Sequence, residues 1–125
     1  IQFYGSDRDS GAIKMSSENA ERAGIDHLTE FKQQTISDMT PPTNRAGLVI
    51  VNPPYGKRIS ETNKLRPLYQ TLGRVLRDNF SGWRVGIITT DRGLAQATGL
   101  NFLPTTTPVQ HGGLRVTLFQ TDALQ

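Results

Sequence analysis

The clearest pattern of apolar positions along the chain predicts an amphipathic helix in its second half. Apolar residues recur there at spacings of three and four, the period of one helix face, and Ser81-Gly82 follows as a stop. These positions are Leu65, Leu68, Tyr69, Leu72, Val75, Leu76 and Phe80. Near the start of the chain, a second helix is predicted from Asp9 or Ser10, either of which can cap its first turn, to a stop at Gly24.

Apolar runs between and after these helices predict strands. Residues 1–6 and 27–36 predict two short strands, and the second of these is rich in polar residues. Residues 46–51 form a continuous apolar run, which is typical of a strand buried on both faces of a parallel sheet. Residues 83–90 predict a further strand, followed by a short helix that Asp91 can cap.

The last part of the chain has the pattern of a hairpin. Two extended pieces, residues 101–109 and 114–121, are joined by His111-Gly112-Gly113. Pro104 and Pro108 favour an edge position for the first piece, because proline cannot donate a hydrogen bond to a neighbouring strand. Helices and strands alternate up to this closing pair, which indicates an α/β fold with a mostly parallel sheet.

Composition narrows the class of protein. The 125 residues are enough for one small domain, and the absence of cysteine excludes disulfides and thiolate metal sites. The two histidines, His27 and His111, lack the spacing of zinc ligands, so no metal site is expected. No apolar run approaches the ~20 residues of a membrane span, and the start of the sequence lacks the pattern of a signal peptide. A soluble, cytoplasmic domain is therefore expected.

The charge is unevenly distributed. Residues 57–92 contain eight basic and three acidic residues, a net charge of +5, whereas the rest of the chain carries −2. A basic region beside a slightly acidic one fits a polyanion on one side of the molecule, and an ordinary solvated helix face gives the same pattern.

The segment Asn52-Pro53-Pro54-Tyr55 directly follows the apolar run, where ligands bind in open α/β sheets. The two prolines stiffen the chain, so the Pro53 carbonyl and the Asn52 side-chain oxygen become two fixed acceptors beside the flat ring of Tyr55. Such a set suits a planar group with an exocyclic amine, such as a nucleobase, and favours positive charge developing on the nitrogen. A proline turn with a packed tyrosine is the structural alternative.

This tetrapeptide resembles the catalytic motif of S-adenosylmethionine-dependent methyltransferases that act on exocyclic amines of nucleobases. More narrowly, the chain resembles bacterial large-subunit ribosomal RNA guanine-N2 methyltransferases of the THUMP-associated group, whose members are often labelled adenine-specific DNA methylases. The tetrapeptide does not distinguish enzymes that act on RNA from those that act on DNA, but the matching stretches at residues 3–7 and 82–83 favour the ribosomal RNA group. The matching stretches are residues 3–7, 19–24, 52–58 and 82–83. The resemblance implies a Rossmann-like class I methyltransferase fold.

The resemblance also implies cofactor-binding roles. Asp7, at the end of the first strand, matches the acid that binds the ribose hydroxyls of S-adenosylmethionine, and a helix-terminal acid is the alternative for it. Asp9 is expected to cap the helix beside the adenine pocket. The family's acid for the adenine amine aligns with Thr35, with Asp38 three residues later, and either is a candidate. Asn52 is expected to touch the cofactor as well.

The catalytic roles fall on the segment that follows the third strand. Asn52, Pro53, Pro54 and Tyr55 match the catalytic motif, with Asn52 and Pro53 as amine acceptors and Tyr55 as the stacking plate. Lys57 and Arg58 are candidates for contact with nucleic-acid phosphates, and a solvated loop is the alternative.

The family's glycine-rich cofactor loop lies on a strand and helix that would precede Ile1. The chain is thus expected to be the carboxyl-side portion of one methyltransferase domain, with residues 1–40 on the ribose side and 46–125 on the catalytic and substrate side. The family's sheet places a further strand between the strands ending at Asp7 and at Asn52. We therefore expect those two strands to pair directly, or two chains to associate through their unpaired edges, or the chain to be marginally stable.

These inferences support three hypotheses about function. The first is methyl transfer to the N2 amine of a guanine in ribosomal RNA, with this chain as a fragment inactive by itself. The second keeps the chemistry but has adenine in DNA as the substrate. The third is a non-catalytic piece that binds nucleic acid without a cofactor.

Overall fold

The computed structural model describes residues 2–56 and 59–125, with only the backbone of Ile59 and His111. The chain divides into two compact units, Ile1–Pro42 and Thr43–Gln125, and each is described by itself. No helix in the described ranges is long and apolar enough to cross a membrane.

The first unit has two parallel strands and one helix. Strand β1 (Phe3–Asp7) pairs along its whole length with β2 (Thr29–Gln33), and helix α1 (Ser10–Arg22) connects them. Single turns of 3₁₀ helix, Asp26–Leu28 and Ile36–Asp38, precede and follow β2. Both strands predicted for this part of the chain are confirmed.

The ends of α1 are fixed by local hydrogen bonds. At the start, the Asp9 carboxylate accepts a bond of 3.0 Å from the amide of Gly11 and so acts as the N-cap. At the end, the amide of Gly24 donates to Glu21 and that of Ile25 donates to Ala20. This is the Schellman arrangement, and its left-handed residue is Gly24, with φ of 73°. The predicted cap and stop are both confirmed.

The second unit contains a four-stranded sheet in the order β3-β4-β6-β5. The outer strand β3 is parallel to β4, whereas β6 runs antiparallel to both β4 and β5. The elements in chain order are β3 (Leu48–Val51), α2 (Ile59–Asn79), β4 (Arg84–Thr89), α3 (Arg92–Ala97), β5 (Thr107–His111) and β6 (Leu114–Gln120). The closing hairpin and the edge position of the proline-containing strand are as predicted.

The core of this unit lies between α2 and the sheet. Helix α2 begins at Ile59, earlier than the first apolar position of the predicted face, and continues through Pro67. Its buried apolar side chains lie on that predicted face: Tyr69, Leu72, Val75 and Leu76. Phe80, directly after the helix, is buried as well. Val85 and Ile87 of β4 are also buried, as is Leu94 of α3. Burying each such side chain contributes about 1.5–3 kcal/mol.

The prediction that β3 is buried on both faces is wrong. Leu48 and Ile50 are 59% and 60% exposed, whereas Val49 and Val51 are half-buried. Val49 and Val51 are in register with the buried Val85 and Ile87 of β4, so they share the covered face of the sheet. A run of apolar residues does not reveal how many faces of its strand are covered.

Direct pairing between the strands that end at Asp7 and before Asn52 is also wrong. In the described part of the chain, β1 pairs with β2 alone and β3 pairs with β4 alone, so each has one hydrogen-bonded neighbour. Association of two chains and marginal stability stay predictions.

The contact between α2 and α3 leads to a stability prediction at Gly73. A Cβ added at this buried residue would lie 2.6 Å from the Thr98 Cα and collide with the Thr98 carbonyl group. Because such overpacking forces backbone shifts, we expect Gly73→Ala to lower the free energy of unfolding by about 1–3 kcal/mol. Urea unfolding followed by circular dichroism measures it. The control Gln70→Ala, on the exposed face of the same helix, should change it by no more than about 0.5 kcal/mol; equal effects would contradict the packing argument.

Candidate active site

The Asn52–Tyr55 segment leaves the sheet at the carboxyl end of β3. The side chain of Asn52 is exposed, Pro53 is buried and Tyr55 is half-buried. The Asn52 amide group is therefore accessible to a ligand, and the Tyr55 side chain is partly accessible.

A buried hydroxyl pair holds the segment from beneath. The Tyr69 hydroxyl, on α2, donates a hydrogen bond of 2.8 Å to the Pro54 carbonyl oxygen. Its single proton is used there, so the Thr89 hydroxyl is the donor in the 3.0 Å bond between Thr89 Oγ1 and Tyr69 Oη. Thr89 is the last residue of β4, and both side chains are completely buried. The segment is thus bonded to α2 and, through Tyr69, to the end of β4.

Burial raises the pKa of the Tyr69 phenol above its ordinary value of 10.0. The hydrogen bond with Thr89 acts in the opposite direction, whereas electrostatic interactions with Asp91 and, more weakly, with Tyr55 raise the pKa further. Asp91 also caps α3, since its Oδ1 accepts a 3.0 Å bond from the amide of Leu94. The neutral phenol is thereby favoured, and only the neutral phenol can donate to the Pro54 carbonyl.

The cofactor-binding candidates of the first unit lie at the carboxyl ends of β1 and β2. Asp7 Oδ1 accepts a 2.8 Å bond from the amide of Asp9, which fixes its carboxylate next to the start of α1. The Asp7 carbonyl accepts a 2.9 Å bond from the amide of Gln34, which ties the ends of the two strands together. The exposed Asp7 carboxylate therefore has a defined orientation at this edge.

Thr35 and Asp38, the two alternatives for the adenine contact, touch each other. The Thr35 hydroxyl donates to Asp38 Oδ2 at 3.1 Å and lies equally close to the Ser37 hydroxyl. The side chain of Gln34 bonds to the Asp38 carbonyl at 3.1 Å and closes the same turn. The structure thus brings Asp7, Asp9, Thr35 and Asp38 to the strand ends of one unit.

The structure describes most, but not all, of the basic residues in the 57–92 stretch. Lys57 and Arg58, the predicted phosphate contacts, lie outside the described residues. Two exposed arginines also have structural partners, because Arg77 donates to the Thr98 carbonyl and Arg92 lies 5.4 Å from the centroid of the Phe119 ring. The other basic side chains of this stretch in the described ranges, Lys64, Arg66, Arg74 and Arg84, are exposed. Exposed basic side chains fit both interpretations of this stretch, a surface that binds a polyanion and an ordinary solvated helix face.

Sequence reasoning missed Tyr69 and Thr89 as parts of the site. The spacing of apolar residues predicts only that Tyr69 lies on the apolar face of the helix, and no motif points to Thr89. One signal was available: a tyrosine in the middle of an apolar face brings a hydroxyl into the core, and a buried hydroxyl requires a partner.

Comparison with known families adds a decisive observation. Residues 1–118 match the family described as UPF0020, the RMKL-like methyltransferase domain. The chain belongs to this family. Among its curated relatives, the ribosomal RNA large subunit methyltransferase K/L of Legionella pneumophila (strain Lens) is 43% identical over 80% of this chain. The protein of the same name from Shewanella baltica (strain OS185) is 42% identical over 73% of the chain. The chain spans only 14% and 13% of the length of these two relatives.

Two solved structures match this RMKL-like chain over its full length. A possible methylase from Clostridium difficile 630 has a TM-score of 0.86 and 28% identity, over 100% of this chain and 33% of its own. SMU.472, complexed with SAH, also has a TM-score of 0.86, with 25% identity over 100% of this chain and 32% of its own. The expected class I methyltransferase fold is confirmed, and the strand pairs of the described residues are mixed, two parallel and two antiparallel.

The raised pKa of Tyr69 predicts how stability depends on pH. At high pH the folded state keeps the phenolic proton that the unfolded state loses, so the free energy of unfolding falls as the pH rises above about 10. Tyr69→Phe should make this fall shallower, although the variant is less stable at neutral pH. The midpoint of urea unfolding, followed between pH 8 and 11 for both proteins, measures this pH dependence. Tyr4→Phe, a change at an exposed tyrosine, should keep the wild-type slope, and parallel wild-type and Tyr69→Phe curves would contradict the assignment.

Proposed function

We propose that the protein containing this chain transfers a methyl group from S-adenosylmethionine to the exocyclic N2 amine of a guanine in large-subunit ribosomal RNA. The observation that carries the proposal is the Asn52–Tyr55 segment at the end of β3, with an exposed Asn52 and a backbone bonded from beneath by Tyr69. The family and the names of the curated relatives support the substrate class.

In this proposal the segment holds the amine of a base that has been turned out of its stack. Oδ1 of Asn52 and the carbonyl of Pro53 accept the two amine hydrogens, and the ring of Tyr55 stacks on the base. The Pro54 carbonyl is already the acceptor for Tyr69, which leaves the amine to Asn52 and Pro53. Acceptors on both hydrogens favour positive charge developing on the nitrogen during in-line attack, and fixed acceptors need no reorganisation.

The residues at the strand ends of the first unit fit S-adenosylmethionine chemically. A carboxylate such as that of Asp7 accepts from both vicinal ribose hydroxyls, and its orientation is set by the Asp9 amide. Thr35 and Asp38 provide a hydroxyl and a carboxylate for the adenine amine, with the turn closed around them. When bound, the cofactor supplies an electrophilic methyl group on a sulfonium, so the protein's own residues position the groups and require no nucleophile or metal.

The proposal extends to the partners and the location. Ribosomal RNA would meet exposed basic residues of the 57–92 stretch, so binding should weaken with salt. A protein that modifies ribosomal RNA is expected where ribosomes are assembled, so the proposal includes a cytoplasmic location. Strands β1 and β3 each have one hydrogen-bonded partner within the described ranges, which supports association with a strand of a second copy.

Cofactor binding tests the ribose assignment. Titration calorimetry of S-adenosylmethionine into the 125-residue chain should show binding that Asp7→Ala removes, because the substitution deletes the acceptor for the ribose hydroxyls. Asp26→Ala removes the same charge from an exposed turn of the same unit and should leave the heat unchanged. Equal loss in both variants would contradict a specific role for Asp7. If a folded wild-type chain gives no heat of binding, the chain alone does not form the cofactor site.

Methyl transfer tests the catalytic assignment. In the full-length protein that contains this sequence, Asn52→Ala should reduce transfer to ribosomal RNA fragments by at least about 100-fold, the effect of removing one preorganised polar group at a reacting centre. Cofactor affinity should stay near that of the wild type.

Asn101→Ala, an exposed asparagine of the same unit, is the matched control and should keep full activity. Wild-type turnover by Asn52→Ala would overturn the assignment. Methylation of duplex DNA at adenine, without transfer to ribosomal RNA, would instead support the second hypothesis.

A further inference from the structure

We infer that Tyr69 is a positioning residue for methyl transfer: its hydroxyl fixes the peptide group between Pro54 and Tyr55 and thereby aims the Tyr55 ring at the target base. The inference rests on the proposed function for the role of Tyr55. It goes beyond that function by assigning a role to a buried helix residue that would touch neither base nor cofactor.

The backbone torsions of the segment show why one hydrogen bond is sufficient. The rings of Pro53 and Pro54 fix both of their φ angles. Each proline also restricts the ψ angle of the residue before it, so ψ of Asn52 and ψ of Pro53 are confined to the extended region. The first torsion without such a restriction is ψ of Pro54, which sets the direction of the Pro54 carbonyl and of the Tyr55 amide.

The Tyr69 hydroxyl acts on this torsion. It donates 2.8 Å to the Pro54 carbonyl oxygen, so rotation about ψ of Pro54 breaks the bond. Tyr69 is itself immobilised, because its side chain is 0% exposed and Thr89 donates to its oxygen. The two prolines and this bond together restrict the backbone torsions from ψ of Asn52 to ψ of Pro54, which set the position of the Tyr55 amide.

The other buried hydroxyls of the described core bond to backbone groups outside the candidate catalytic segment. Thr98 donates to Ala95 one helical turn before it, and Thr121 accepts from the amide of Val85 on the neighbouring strand. The Tyr69–Thr89 pair differs, because the Tyr69 hydroxyl donates to the carbonyl of Pro54, a residue of the candidate catalytic segment. Burying two hydroxyls among apolar side chains is costly unless they are bonded, so their specific use here is to hold that segment.

The experiment compares three variants, Tyr69→Phe, Thr89→Val and the double variant. Tyr69→Phe keeps the ring in the core but leaves the Pro54 carbonyl and the Thr89 hydroxyl without their partner. Thr89→Val removes one buried bond but keeps the bond to Pro54, so it is the matched control. The double variant also removes the hydroxyl left alone at Thr89 and should recover part of the stability lost in Tyr69→Phe.

Kinetics of the full-length protein separate positioning from folding. We expect Tyr69→Phe to lower kcat by about 10–100-fold, as a misplacement near the reacting atoms does, with KM for S-adenosylmethionine within about twofold of the wild type. The double variant should regain stability but not kcat. Thr89→Val keeps the bond from Tyr69 to the Pro54 carbonyl and should therefore lower kcat less than Tyr69→Phe does. Recovery of kcat together with stability in the double variant would overturn the inference.

Nuclear magnetic resonance of the 125-residue chain tests the geometry without any activity. A hydrogen bond polarises the peptide group that accepts it, so the amide signal of Tyr55 reports the bond to Pro54. This signal should shift in Tyr69→Phe and in the double variant but stay in place in Thr89→Val. An unchanged signal in Tyr69→Phe overturns the inference, whereas an inactive wild-type protein with the expected shifts overturns the proposed function instead.

Discussion

The contact between α2 and β4 is the one on which the second unit depends. A buried hydrogen bond joins Tyr69 of the helix to Thr89 of the strand, and the same strand pairs with β3 on one side and β6 on the other. Because β4 connects the helix layer to both neighbouring strands, its position determines where β3 ends and where the chain turns out of the sheet. The candidate catalytic segment begins at that turn. Its location is therefore a consequence of core packing rather than of the loop itself.

The same contact explains how a hydroxyl buried in the core can bond to a segment whose Asn52 side chain is exposed. Tyr69 lies on the buried face of α2 and Thr89 at the end of β4, so the helix and the strand that form the core also meet beneath the segment. Any sliding of α2 along β4 would separate Tyr69 from the Pro54 carbonyl. The same helix also lies close to Thr98, directly after α3, at Gly73, so its position is set by close packing on that side as well.

Local signals in the sequence predicted most of the fold. Spacing predicted α2, Asp9 and Gly24 predicted the ends of α1, and the glycine pair predicted the hairpin, because each depends on residues near one another in the chain. The exposure of Leu48 and Ile50 depends on which layers cover a strand, and periodicity does not contain that information. Of the site, the motif and its position after β3 could be predicted. The Tyr69 hydroxyl bond could not, because it joins residues 15 positions apart.

The two units hold their polar groups by different physical means. Around the Asn52–Tyr55 segment, proline rings and completely buried partners restrict the backbone. In the described part of Ile1–Pro42, by contrast, Ala20 is the only buried apolar residue, and Phe3 and Met15 are more than half exposed. Asp7, Thr35 and Asp38 are oriented there by short-range hydrogen bonds between exposed groups, which water competes for. A ligand bound across these strand ends would add contacts present only in the folded state. In the proposed function, cofactor binding and the stability of this unit are therefore linked, whereas the candidate catalytic segment is held by the core whether or not a substrate is bound.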